Sequence, residues 1–162
     1  MNYQLEYILK YFEAYKAYYD FTSKSNDRKP NFPEGLSERI AVYALNKVYH
    51  NKYSRADKNK KEVGDVVDIC GNQIEVKASI LREDCSSFGP QEYFDNLIFI
   101  KIDIDKRHIE VYDCHMNSFQ IRNIKVTKTG VTFGEQADNG RRPRFCISKK
   151  IPNKELIYQF DL

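Results

Sequence analysis

Between Gly64 and Ser79 the chain reads GDVVDICGNQIEVKAS, and Asp65, Asp68, Glu75 and Lys77 carry charge within it. On a β-strand successive side chains alternate faces, so Glu75 and Lys77 share one face while Ile74, Val76 and Ala78 share the other. If the preceding run pairs with this strand as a hairpin, one of its aspartates reaches the same spot. Neighbouring carboxylates repel unless a cation lies between them. Oxygen donors suit Mg2+, which takes one or two carboxylates, keeps several waters and accepts a substrate phosphate oxygen. A lysine beside that ion can hold or deprotonate a water lined up on phosphorus. The chemistry open to such a group is metal-assisted hydrolysis of a phosphodiester. Glu-x-Lys alone is a weak signal, since Glu and Lys alternate on many solvated strand faces. An aspartate across a hairpin, with the strand's other face apolar, gives it weight.

The elements that must carry these residues follow from periodicity. From Asn2 to about Phe21, Leu5, Ile8, Leu9, Phe12, Tyr15 and Tyr19 recur at helical spacing, with Tyr3, Tyr7, Tyr11 and Tyr15 as a second stripe beside them. An apolar arc that wide suits both a core and a homodimer contact, where tyrosine is enriched. After the polar connector TSKSNDRKPNFPEG, Ser37 is expected to cap a second helix over about 37–50, with Ile40, Ala41, Ala44, Leu45 and Val48 inward. Glu38 sits in its first turn, where the helix dipole favours an acid. NKYSRADKNKKE is a basic loop, in which Lys58, Lys60 and Lys61 could steer phosphate. Strands are expected over 63–69 and 74–80, joined by the turn CGNQ, then over 96–104 and 108–114. FQIRNIKVT and RFCISK are further strand candidates, and Pro152 is expected to open a last helix, PNKELIYQF.

That order predicts one α/β (α+β) domain over 1–162, with N-terminal helices to residue 50, a core over 63–104 that carries the charged hairpin, and strands with an arginine-rich loop over 108–148. The 162 residues are 41% hydrophobic and 30% charged, the balance of a folded globule. No run approaches the length of a membrane span, and the N-terminus lacks the pattern of a signal peptide, so the expected location is the cytoplasm. Cys70, Cys85, Cys114 and Cys146 are widely spaced, which suits free thiols. Cys114, His115 and nearby His108 lack the second ligand pair that zinc needs. The net charge of +3, from 26 basic and 23 acidic residues, neither requires nor excludes a nucleic-acid face. Local clustering says more. NGRRPRF puts Arg141, Arg142 and Arg144 in one loop, and arginine binds both guanine and phosphate.

GDVVDICGNQIEVKAS resembles the active-site hairpin of the PD-(D/E)XK nucleases, above all of small Type II restriction endonucleases with a PvuII-like hairpin. That pattern has an Asp, nine intervening residues and then Glu-x-Lys, and Asp65 to Glu75 has this spacing. Asp68 is the rival. NFPEGLSERIA resembles the family's N-terminal helix, whose glutamate approaches the metal site, here Glu38. DCSSFGPQEYFD resembles the segment after the Glu-x-Lys strand, where Ser86 and Ser87 precede a Gly-Pro turn able to hold a phosphate. The resemblance implies a restriction-endonuclease-like core, a central mixed β-sheet flanked by helices. It also implies Mg2+ held by Asp65, Glu75 and the Val76 backbone carbonyl, with Lys77 activating water and Glu38 assisting. Arg141, Arg142 and Arg144 would contact double-stranded DNA at a short site containing G·C pairs, such as GCNGC. Palindromic cutting implies a homodimer. Gly64 stands where the superfamily name has proline. Two other readings stand beside this one: a repair or junction-resolving nuclease that recognises DNA structure, and a non-catalytic DNA-binding module.

Overall fold

The first stripe forms a long helix, α1 (Tyr3–Lys24), which buries Ile8, Phe12, Tyr15 and Thr22. The computed structural model describes residues 3–50, 52–57, 64–81, 83–90 and 93–162. Lys58, Lys60, Lys61 and Val63 therefore lie outside the described residues. The second helix, α2 (Glu34–Tyr49), buries Leu36, Ile40, Ala41, Ala44 and Leu45, and also Val42 and Tyr43. It is buried all round because it packs against both α1 and the sheet. It starts earlier than a Ser37 cap predicts. Pro33, extended at φ −66 and ψ 129, is the cap, and proline loses no amide bond there. Ser37 lies inside the helix, and its hydroxyl donates to the Glu34 carbonyl at 2.8 Å.

Eight strands are described: β1 (Tyr53–Arg55), β2 (Val66–Asp68), β3 (Gln73–Ser79), β4 (Ser86–Ser87), β5 (Asn96–Asp103), β6 (His108–Asp113), β7 (Arg144–Phe145) and β8 (Glu155–Asp161). Six form one sheet in the order β1-β2-β3-β5-β6-β8, and β4 pairs with β7 separately. Only β3 and β5 are parallel; the other neighbours are antiparallel. This is the expected mixed α+β fold, with helices flanking a central mixed sheet.

The central strand β5 shows how the sheet divides the interior. Ile98, Ile100 and Ile102 join a core with α1 and α2. Leu97 and Phe99, on the alternate face, join a second core with Phe88, Phe94, Cys114, Ile121, Phe133 and Phe145. No helix among the described residues is long and apolar enough to cross a membrane.

Two further expectations are overturned and one holds in part. FQIRNIKVT is not a strand: Asn117 and Gln120 form a reciprocal capping box that starts a short helix, α3 (Ser118–Ile121). RFCISK is β7 followed by a further short helix (Ile147–Lys150), with α4 (Phe133–Asp138) before it; the helix at 147–150 is α5. The expected helix after Pro152 is instead β8, which pairs antiparallel with β6. Residue spacing there is ambiguous, and the open edge of β6 decides it, since edge amides and carbonyls need partners. Phe160 packs on Tyr43 of α2.

One buried acid ties the two sheets' connections together. Asp84 accepts from the Ile147 amide at 2.5 Å, the Ser148 amide at 3.0 Å and the Cys146 thiol at 3.1 Å. Burial alone would push its carboxyl up, but these amides and the thiol hold it below the usual range. A lowered folded-state value gives stability that is present above the unfolded value and is lost as pH falls through the folded one. Asp84→Ala strands two amides and is expected to cost about 2–3 kcal/mol in urea unfolding at neutral pH. The difference should shrink on acidification.

Candidate active site

Strand β2 pairs with β3 only through Val66↔Ile74 and Val67↔Gln73, plus a last rung from the Asp65 amide to the Ile74 carbonyl at 3.0 Å. Beyond that rung β3 continues to Ser79. The Asp65 carboxylate takes the next amide on this edge, that of Val76, at 2.8 Å. Amide and carbonyl of one strand residue face the same edge, so the Val76 carbonyl is also directed to the Asp65 side. Gly64 permits this approach. Its φ is +100°, and a Cβ there would lie 3.2 Å from the Ile74 carbonyl oxygen, so a larger residue would be strained on both counts.

Glu75 and Lys77 share a face and form an ion pair, with Lys77 Nζ also 4.8 Å from the centre of the Phe88 ring. Their register partners on β5 are Leu97 and Phe99, so both lie on the side of the second core. Glu75 is buried. From α2, buried Glu38 meets Arg55 of β1: Arg55 Nε donates to Glu38 Oε2 at 2.6 Å, and one Nη donates to the same oxygen. Arg55 and Phe88 are not singled out by the sequence reading. The available hint was a glutamate on a helix turn that buries its neighbours, since a buried acid requires a cation or donor.

Burial pushes the Asp65 carboxyl above its ordinary value. The Val76 amide and the Lys77 charge oppose this, while Glu38 and Glu34 add to it. Asp65 thus feels both the Glu38 and the Lys77 sides of the site. Asp68 has a different job. Its carboxylate accepts from the Cys70 amide at 2.8 Å, the Asn72 amide at 3.0 Å and the Asn72 side chain at 2.7 Å. Burial acts upward on it, but these donors hold it below the usual carboxylate range. It caps the hairpin turn.

The donor types near Asp65, its own carboxylate and the Val76 carbonyl with Glu75 on the adjoining strand, suit a hard divalent cation. Among the described residues no three His, Cys, Asp or Glu side chains form a ready-made cage. An ion held by Asp65 and Glu75 would complete its shell with the Val76 carbonyl, water and phosphate, the habit of Mg2+.

The expected DNA contacts come together in part. Ser87 pairs with Arg144 and Ser86 with Phe145 across β4 and β7, and the Phe88 amide donates to the Pro143 carbonyl at 3.1 Å. Arg141, Arg142 and Arg144 are exposed, Ser87 is half-buried and Ser86 is buried. Phe88 stacks on Phe145 with ring centres 5.3 Å apart, so the ring beneath Lys77 is also the base of this small sheet.

Comparison with known proteins bears on the chain as a whole. The family model described as Bsp6I restriction endonuclease matches residues 2–154. A Type II restriction enzyme, Bsp6I from Bacillus sp. (strain RFL6), is 32% identical over 146 residues, covering 86% of this chain and 79% of that protein.

The two aspartates should respond oppositely to substitution. With Asp65 raised in the folded state, that state keeps its proton longer than the unfolded chain, so wild-type stability falls as pH rises through that window. Asp65→Asn in metal-free buffer is therefore expected to melt no lower than wild type at neutral pH, with the difference closing toward acid. Asp68→Ala should instead lose about 1–2 kcal/mol and keep wild-type binding of divalent cations in calorimetry.

Proposed function

The chain belongs to the Bsp6I restriction endonuclease family, and from that premise we propose how it cuts DNA. It is a Type II restriction endonuclease, a site-specific deoxyribonuclease acting on double-stranded DNA, and its class is metal-dependent. The metal we assign is Mg2+, held by Asp65, Glu75 and the Val76 carbonyl. When bound, it supplies Lewis-acid charge at the scissile phosphate and makes a bound water easier to deprotonate.

The protein's own groups do the rest. Lys77, held between Glu75 and the Phe88 ring, donates to the attacking water and holds it in line with phosphorus, while that water's proton passes through solvent to the departing 3′ oxygen. The water oxygen bonds to phosphorus as the bond to the 3′ oxygen breaks, leaving a 5′-phosphate and a 3′-hydroxyl. Glu38 orients a further water at the edge of the site. Ser86, Ser87, Arg141, Arg142 and Arg144 hold and read the duplex from the β4–β7 side. The observation that carries this reading is the Asp65 carboxylate on the Val76 amide, which joins the aspartate to the Glu75–Lys77 strand.

A palindromic site calls for a two-fold dimer, and α1 offers a face for it. Tyr3, Tyr7, Tyr18 and Phe21 are exposed, and at 3.6 residues per turn they form one stripe along the helix, about a third of a turn round from Ile8, Phe12 and Tyr15. Sedimentation of wild type is expected to give a dimer, and Tyr7→Glu with Phe21→Glu a monomer. A monomeric wild type would rule this out.

Incubation of plasmid or phage DNA with Mg2+ should yield discrete fragments, and sequencing their ends would read out the recognition site. Chelation should stop cutting, and Lys77→Ala should lower the rate by about 10³-fold or more, since it removes water activation. Undiminished cutting by Lys77→Ala would sink the assignment.

A further inference from the structure

We propose that Arg55 is a phosphate-binding residue of this active site, anchored on one edge by Glu38 and offering the other edge to the DNA backbone. The inference rests on the reading of Asp65, Glu75 and Lys77 as the metal and water site.

The position of Arg55 is set on every side. Strand β1 lies at the edge of the six-stranded sheet, with Arg55 opposite Val66. The next residue, Ala56, donates its amide to the Asp65 carbonyl at 3.0 Å, which ties β1 to the aspartate itself. At the start of the strand, Asn46 of α2 brackets Tyr53: its side-chain amide donates to the Tyr53 carbonyl at 2.9 Å and its oxygen accepts the Tyr53 amide at 2.8 Å. Tyr53 packs on Tyr49 of α2. Strand alternation then turns Arg55 to the same face, where it meets Glu38.

The ion pair is lopsided in a telling way. The Glu38 side chain is 8% exposed and that of Arg55 is 40% exposed. Both bonds end on one Glu38 oxygen and use Nε and one Nη. A guanidinium carries five donors in a planar fork, so those beyond this edge lie on its more exposed side. An arginine held this way is pre-organised for bidentate phosphate binding. The site also needs such a charge. Glu38, Asp65 and Glu75 are all acidic, and a phosphodiester brings another negative charge among them. Lys77 offsets Glu75 on one flank, and Arg55 offsets Glu38 on the other.

The test separates phosphate binding from mere neutralisation of Glu38. DNA affinity is measured against salt in a Lys77→Ala background, and cleavage is measured in otherwise wild-type protein. Arg55→Gln is expected to lower kcat/KM by about 10–100-fold and to flatten the slope of log affinity against log salt by about one counterion. Arg55→Lys should restore the slope but not the full rate, because it lacks the fork. Glu38→Gln should leave the slope unchanged. The double variant Glu38→Gln with Arg55→Gln removes the unpaired buried acid and should still show the flattened slope. A wild-type slope in Arg55→Gln or in the double variant would overturn the proposal, leaving Arg55 as a structural partner. Normal cutting by Lys77→Ala would instead refute the metal-site reading, so the two failures are distinguishable.

Discussion

Strand β3 is paired with β5 from Ile74 to Ser79, but with β2 only over its first residues. Among the described residues nothing pairs with that edge of β3 beyond the Asp65 rung, and the candidate site lies there. Backbone amides and carbonyls on such an edge need partners. At Val76 the partner of the amide is the Asp65 carboxylate, which brings a charged side chain to the place where a further rung of backbone would lie. Gly64 makes the approach possible, because any side chain there would meet the Ile74 backbone. A longer β2 would close the edge and leave no outward carbonyl beside two acids.

The same residue type serves opposite ends in this chain, and its partners decide which. Asp68 and Asp84 are surrounded by amide donors that favour the charged form, and both hold loops in shape. Asp65 is buried with one amide and one lysine for it, and with Glu38 and Glu34 against it. An acid kept where its charge is costly lowers stability, which is the pattern of a position held for something other than the fold.

The second core links Lys77 to the small β4–β7 sheet. Phe88 lies under Lys77 and stacks on Phe145, while the neighbouring strand residues Ser87 and Arg144 face each other across β4 and β7. Asp84 holds the chain after β7 through two amides. A close-packed interior of this kind transmits small shifts between the β4–β7 strands and Lys77.

The sequence by itself determined what depends on local periodicity and on residue chemistry. The two N-terminal helices, the β2–β3 hairpin, the apolar β5 with its partner β6, and the shared face of Glu75 and Lys77 were all legible, because spacing dictates which side chains lie together. The metal-site family was legible from the Asp65–Glu75 spacing. Tertiary structure alone decided the rest. Residues 155–161 became a strand because β6 had an open edge to fill, and α2 began at Glu34 because Pro33 could cap it. Arg55 entered the site because β1 folds beside α2, bringing together residues that lie 17 apart in the chain. Such pairings depend on which elements pack against each other, and no local pattern records that choice.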